Sequence, residues 1–182
     1  MATSIEQVQQ LYIALYGRPA DPVGQSYWGN ILATDPNAIP TIAAVFAMSP
    51  EYAAAYGGKP SAAIVTAMYQ NMFGHAPDGA QLANWTFQLD YGANVGTVLT
   101  GILNGASTAD MLVLGAKVNA ATAFTAYVDT AAEVNAYGTD AGNIAPREFL
   151  AYVDDWTSLN VATPPFSLNL VTADSVAGRH WS

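Results

Sequence analysis

Four polar side chains fall at matching points of a 57-residue spacing: Arg18 and Asp21 in one stretch, His75 and Asp78 in the other. A loop aspartate can ligate calcium or accept from a sugar hydroxyl, and a cation beside it can hold a phosphate or an acidic sugar. The same positions also have a structural use. Asp21 and Asp78 stand where a side-chain oxygen caps the helix that follows, and Arg18 is placed to pair with Asp21 or another carboxylate. Both readings remain open from the residues alone. His75 takes the place of Arg18 in the second stretch, which favours a surface-loop role over catalysis.

Other reactive chemistry is sparse. The chain has two histidines, His75 and His180, and no cysteine, so thiolate nucleophiles, disulfides and Cys-type zinc sites are excluded. No phosphate-binding glycine loop, Gly-x-Ser-x-Gly elbow or His-Glu-x-x-His occurs. The loop Gly138 to Asn143, with Asp140 and Asn143 as oxygen donors, is the nearest approach to a metal site. Calcium, however, takes about six to eight oxygen ligands. Asp154 and Asp155 form the acidic pair, but neighbours on a helix point about 100° apart and do not flank one bond. They read as a solvated face, and no catalytic residue is assigned. A glycan-active enzyme using Asp154 with Asp140 is the alternative.

Composition narrows the partners. The 182 residues carry a formal net charge of −9, which argues against nucleic acid and against docking on an anionic membrane. A hydrophobic fraction of 52% with 10% charged residues argues against disorder. The longest apolar runs, such as Ile42 to Met48, fall short of the roughly 20 residues of a transmembrane helix. The start MATSIEQVQQ has no basic segment and no apolar core, so no ordinary secretory signal is expected.

The elements that position these residues form a repeat. Leu11–Trp28 aligns without a gap on Met68–Trp85, pairing Tyr12 with Tyr69, Tyr16 with Phe73, Gly17 with Gly74, Asp21 with Asp78 and Trp28 with Trp85. Ser4, with Gln7 completing a capping box, opens a helix whose stripe is Val8, Leu11, Tyr12, Leu15 and Tyr16. Gly17 supplies its left-handed stop. Asp21 and Pro22 open the next helix, with Tyr27, Trp28, Ile31 and Leu32 facing inward. The second copy follows the same plan, with Ser61 as cap, Gly74 as stop and an Asp78–Gln81 capping box. Further helices are expected over Pro40 to Met48, from Ser49-Pro50-Glu51 to Gly57, and over Asn94 to Leu103. A long Ala-rich helix runs from Ser107 towards Tyr137, with Leu112, Ala116, Ala120, Ala123, Tyr127 and Val134 for packing. A last helix starts near Pro146 and carries Phe149, Tyr152, Val153, Trp156 and Leu159.

The expected fold is therefore all-α, with about seven to nine helices. Residues 1–58 form the first repeat. Residues 59–160 form the second repeat with the Ala-rich and C-terminal helices, sharing one core with the first. Residues 161–182 form an extended tail.

The string Leu11-Tyr12-x-Ala14-Leu15-Tyr16-Gly17-Arg18-x-x-Asp21-x-x-Gly24-x-x-Tyr27-Trp28 resembles the signature of the DUF4214 family of bacterial domains of unknown function. Ser49-Pro50-Glu51-Tyr52 resembles its next landmark. The second copy matches more loosely, with His75, Gln81 and Asn84 replacing Arg18, Gly24 and Tyr27. The resemblance covers about residues 7 to 130. It implies a helical unit similar in pattern to phycobilisome linker domains. It also implies the setting of secreted bacterial surface proteins, S-layer-like proteins and RTX-type adhesins exported by type I secretion, which often carry calcium-binding repeats. On that resemblance the expected function is a non-enzymatic anchoring or assembly module. Its partners would be lipopolysaccharide O-antigen or another surface glycan, or neighbouring copies in a lattice, with Ca2+ as a possible cofactor. Arg18, Asp21, His75 and Asp78 are the candidate ligand-binding residues. An intramolecular spacer in a larger adhesin is a further alternative.

Overall fold

A computed structural model of the chain describes residues 2–137, 142 and 144–153. Ten helices lie among them, one more than the upper end of the expected range, and the fold is all-α. The first eight fall into two four-helix units. The first unit is α1 (Ser4–Tyr16), α2 (Pro22–Thr34), α3 (Ile39–Ala47) and α4 (Pro50–Tyr56). The second is α5 (Ser61–Phe73), α6 (Gly79–Asp90), α7 (Val95–Gly105) and α8 (Thr108–Tyr127). Two short helices follow, α9 (Ala131–Tyr137) and α10 (Ile144–Ala151). The expected extended tail over residues 161–182, and Trp156 and Leu159 of the expected last helix, lie outside the described residues.

The helix stops and starts follow local chemistry. Gly17 and Gly74 end α1 and α5 at φ 65° and 77°, a backbone region that costs glycine nothing. Asp21, Ser49, Asp78, Asn94 and Ser107 each accept from a backbone N–H of the turn they open. Two expected caps differ. Thr3, not Ser4, caps α1, and Glu6 rather than Gln7 closes the capping box, because a carboxylate at that position accepts from the Thr3 N–H at 2.6 Å. Pro60 precedes α5 without a side-chain cap, and Ser61 instead donates its hydroxyl to Asp90 at 2.6 Å.

Equivalent helices of the two units meet: α1 packs on α5, and α3 packs on α7. Gly96 permits the second pairing, since a Cβ there would meet the backbone of Pro40 and the Ala43 methyl. Helix α8 closes over α1 and α5, so one core unites Leu11, Leu15, Met68, Met72, Leu99 and Leu114 from both units. Trp28 packs beside Phe46, ring centroids 5.5 Å apart, and Trp85 lies over Gly101. Both indoles thus serve packing, but Tyr27, expected inside, is 60% exposed.

The Ala-rich stretch is two helices rather than one. Thr130 and Glu133 form a second start signal, the Glu133 carboxylate accepting from the Thr130 N–H at 3.0 Å and the Thr130 hydroxyl from the Glu133 N–H at 3.2 Å. The buried row of α8 is also rotated from the expected one. Ala116 and Ala120 are buried as expected, but Leu112, Ala123 and Tyr127 face out, while Leu114, Lys117, Val118, Ala121, Phe124 and Thr125 face in. Two polar residues on the inner face, Lys117 and Thr125, shifted the apparent apolar phase.

Candidate functional site

Arg18 follows the stop of α1 and turns inward, leaving the residue 7% exposed. Its Nε and Nη2 donate to the two carboxylate oxygens of Glu51 at 2.8 Å each, and its Nη1 donates to the Pro19 carbonyl at 3.1 Å. The guanidinium also lies 5.0–5.4 Å from the ring centres of Tyr12, Tyr16 and Tyr137. Burial disfavours its charge, but the Glu51 hydrogen bonds and charge outweigh that and hold it firmly protonated. The Tyr137 hydroxyl donates to the same Pro19 carbonyl at 2.6 Å, while burial, opposed by Arg18, raises its phenol. Of the two uses open to Arg18, the structural ion pair is present, with Glu51 rather than Asp21 as partner.

His75 stands at the same point after α5 and makes the equivalent contact to the opening turn of α8. Its Nε2 is 2.8 Å from the Asp110 carboxylate and its Nδ1 is 2.8 Å from the Ala76 carbonyl. Both ring nitrogens face acceptors, which suits the imidazolium. The Ala76 carbonyl first, then Asp110, raise its pKa above the ordinary 6.5, against a small opposing effect of burial. The imidazole is about half exposed, with 51% of its side chain open.

Asp21 and Asp78 are both helix caps. Asp21 accepts from the Gly24 N–H at 2.7 Å and from the Tyr12 hydroxyl at 3.3 Å. Asp78 accepts from the Gln81 N–H at 2.8 Å, and Gln81 returns the bond to the Asp78 N–H at 2.9 Å. The four candidates therefore form two separate loops, each docked on its own unit. Among the described residues no three His, Cys, Asp or Glu side chains gather as a metal cluster would. Asp140, Asn143, Asp154 and Asp155 lie outside the described residues.

The concave site lies elsewhere, at the junction of the two units. A cleft of about 490 Å³ opens where the C-terminal ends of α1, α4 and α5 converge beneath α10. Tyr16 and Gly17 come from α1 and its stop, Tyr56 from α4, and Gln70, Asn71 and Gly74 from α5 and its stop. Lys117 rises from α8, and Arg147, Glu148, Leu150 and Ala151 descend from α10. Lys117 is 2% exposed, and its ammonium donates to the Asn71 carbonyl at 2.8 Å. The Asn71 side chain donates to the Ala14 carbonyl at 3.1 Å, so the two residues cap the last turns of α5 and α1. Arg147 donates from Nη2 to Glu51 at 2.6 Å, which joins the cleft wall to the Arg18 pair behind it. Burial raises the Tyr56 phenol, against the hydrogen bond with Asn71 and the charge of Arg147.

Sequence reading did not find this cleft. Its residues come from five elements and share no spacing, and Asn71 stands where the first copy has Ala14. The available signal was scarcity: of only five Lys and Arg residues, Lys117 and Arg147 line the cleft, and Arg18 stands behind it on Glu51.

No single helix among the described residues is long and apolar enough to cross a membrane. The family model described as Domain of unknown function (DUF4214) matches residues 43–110. No curated protein and no solved structure matches the chain. The matched span runs from α3 into the first turn of α8, taking in Ser49-Pro50-Glu51-Tyr52 and the second copy of the motif, whereas the tighter first copy precedes it. Over residues 43–110, then, the chain is similar to the DUF4214 family model that its repeated motif resembles.

Proposed function

We propose that the chain is a non-enzymatic structural and binding module of a bacterial cell surface. It would anchor or assemble an S-layer or RTX-type secreted protein by holding a surface glycan such as lipopolysaccharide O-antigen. The observation that carries this reading is the lining of the cleft between the two units. A sugar hydroxyl both donates and accepts, so a glycan site needs donors and acceptors side by side with flat apolar walls. Asn71, Gln70 and Arg147 supply donors, Glu148 and helix-end carbonyls supply acceptors, and the buried Tyr16, Tyr56 and Lys117 back the lining. One such cleft per chain binds weakly, and copies arrayed on a surface bind strongly through high local concentration.

The test is binding of the purified chain to cells with and without O-antigen, each with and without calcium. Binding that requires the O-antigen and is lost in Ala151→Trp, which fills the cleft from its exposed rim, is the expected result. Binding equal on both cell types, or untouched by the tryptophan, overturns it.

Self-association into a lattice is a second reading, favoured by the outer face of α6. There Phe87 and Tyr91 are 57% and 78% exposed with ring centres 4.2 Å apart. Sedimentation of Phe87→Ser/Tyr91→Ser beside the parent chain at high concentration tests it. An unchanged mass distribution removes this face from assembly.

A further inference from the structure

The cleft has an electrostatic character that its shape alone does not convey, and that character names a ligand class. We infer that it takes an acidic sugar, one ring bearing a carboxylate, rather than a neutral one. The inference rests on the glycan reading above and deepens it.

Two opposed features of the lining lead to this class. On one side is a concentration of positive charge in a chain whose net charge is −9. Lys117 and Arg147 line the cleft, and Arg18 backs it by sharing Glu51 with Arg147. Arg147 is the exposed member of the set. Its side chain is 40% exposed, and the contact with Glu51 engages Nη2, so a planar guanidinium edge stands at the cleft wall. Guanidinium is the side chain that best matches a carboxylate, through paired charge-assisted hydrogen bonds. Glu51 already serves two arginines, and the one carboxylate among the described lining residues is the exposed Glu148.

On the other side, the C-terminal ends of α1, α4 and α5 converge on the same cleft. Helix C-termini carry partial negative charge, and the carbonyls that Asn71 and Lys117 cap each keep a second lone pair for a donor. They repel a bare anion and welcome hydroxyl or ammonium protons. A doubly charged phosphate is therefore a poor occupant, because it offers that side at most one hydrogen against two negative charges. A ligand that satisfies both sides brings several O–H donors and a single negative group. An acidic monosaccharide unit does so, with its carboxylate toward Arg147 and its hydroxyls toward the helix ends. The volume of about 490 Å³ is in the range of small-ligand clefts.

The experiment is calorimetric titration of the purified chain with galacturonic acid oligomers and with galactose oligomers of the same length. The acidic series is expected to bind about tenfold tighter, the effect of one charge-assisted contact. Arg147→Gln is expected to erase that preference. Glu148→Gln, which removes a negative charge from the lining and keeps an amide oxygen as acceptor, is expected to strengthen acidic binding a few-fold relative to neutral binding. Equal affinity for the two series, or an acidic preference indifferent to both substitutions, overturns the acidic-ligand inference. Tight binding of the neutral series alone overturns it while sparing the glycan reading. Binding of neither series, with cell attachment that survives Ala151→Trp, overturns both.

Discussion

The two units solve one mechanical problem with different chemistry. Each must fasten the loop after its first helix to the helix that opens with a Ser cap, and each uses a cation on the loop and an acid in that helix's first turn. The first unit uses arginine and glutamate, buried, bidentate and stacked among tyrosines. The second uses histidine and aspartate, half exposed and joined by a single contact. Charge at Arg18 is fixed over any ordinary pH, whereas charge at His75 is not. The same architecture therefore holds one permanent clasp and one conditional clasp.

The largest expected effect tests permanence. Glu51→Ala leaves Arg18 buried without its carboxylate and frees Arg147 as well, so it should cost about 3–5 kcal/mol of stability. Asp110→Ala, the equivalent change in the second unit, should cost about 1 kcal/mol, because His75 can turn to water. Chemical denaturation of the two variants beside the parent measures both, and equal losses would abolish the distinction.

The caps come next. Asp21→Ala and Asp78→Ala each remove a bond to a helix N-terminus worth about 0.5–2 kcal/mol. The first should lie at the upper end, since it also deprives the part-buried Tyr12 hydroxyl of its acceptor. The order of their melting temperatures decides this, and Asp78 proving the more costly would count against a tighter first unit.

The smallest effect is the pH dependence of the second clasp. His75 titrates above its ordinary 6.5 in the fold, so its contribution is complete below that value and is lost as pH rises through the raised one. Burial opposes the charge of Asp110, but the bonds from His75 and Ser107 outweigh it and hold its pKa below the ordinary 3.8. Its contribution is therefore complete above that value and is lost as pH falls through the lowered one. The clasp is strongest between these limits. Proton NMR of the His75 ring should give a midpoint above 6.5 that falls towards it in Asp110→Asn. The groups facing the ring are Asp110 on α8, the Ala76 carbonyl in the loop, and Tyr69 and Phe73 on α5. A midpoint unchanged by the substitution would assign the shift to Ala76 alone.

The fold was largely legible because caps and stops act within a few residues. Asp21, Asp78, Gly17 and Gly74 are decided by their neighbours in the chain, and the sequence displays those neighbours. Burial of polar groups is decided across the fold. Gln9 reads as a surface residue, yet it is fully buried. Its Nε2 donates to Gln25 at 2.6 Å and Thr125 at 2.9 Å, and its Oε1 accepts from the Ala20 N–H at 2.9 Å. The Arg18 partner was open to reading only as some carboxylate, since Glu51 lies 33 positions away. The cleft was hidden for the same reason: Lys117 and Arg147 acquire meaning only when α8 and α10 are laid beside α5.

The contact between Asn71 and Ala14 has one more consequence. These residues are equivalents in the two copies, and they touch across α1 and α5, as equivalent helices also do at α3 and α7. Self-contact of that kind is what an isologous dimer makes across its axis. The two units thus pack as the subunits of such a dimer would, but within one chain, where dilution cannot part them. In a true dimer every substitution strikes both halves at once. Tied together, one half can exchange alanine for asparagine and arginine for histidine while the other keeps the original. Covalent linkage lets the two halves differ, and the cleft at their seam is lined by unlike residues of each and by α10.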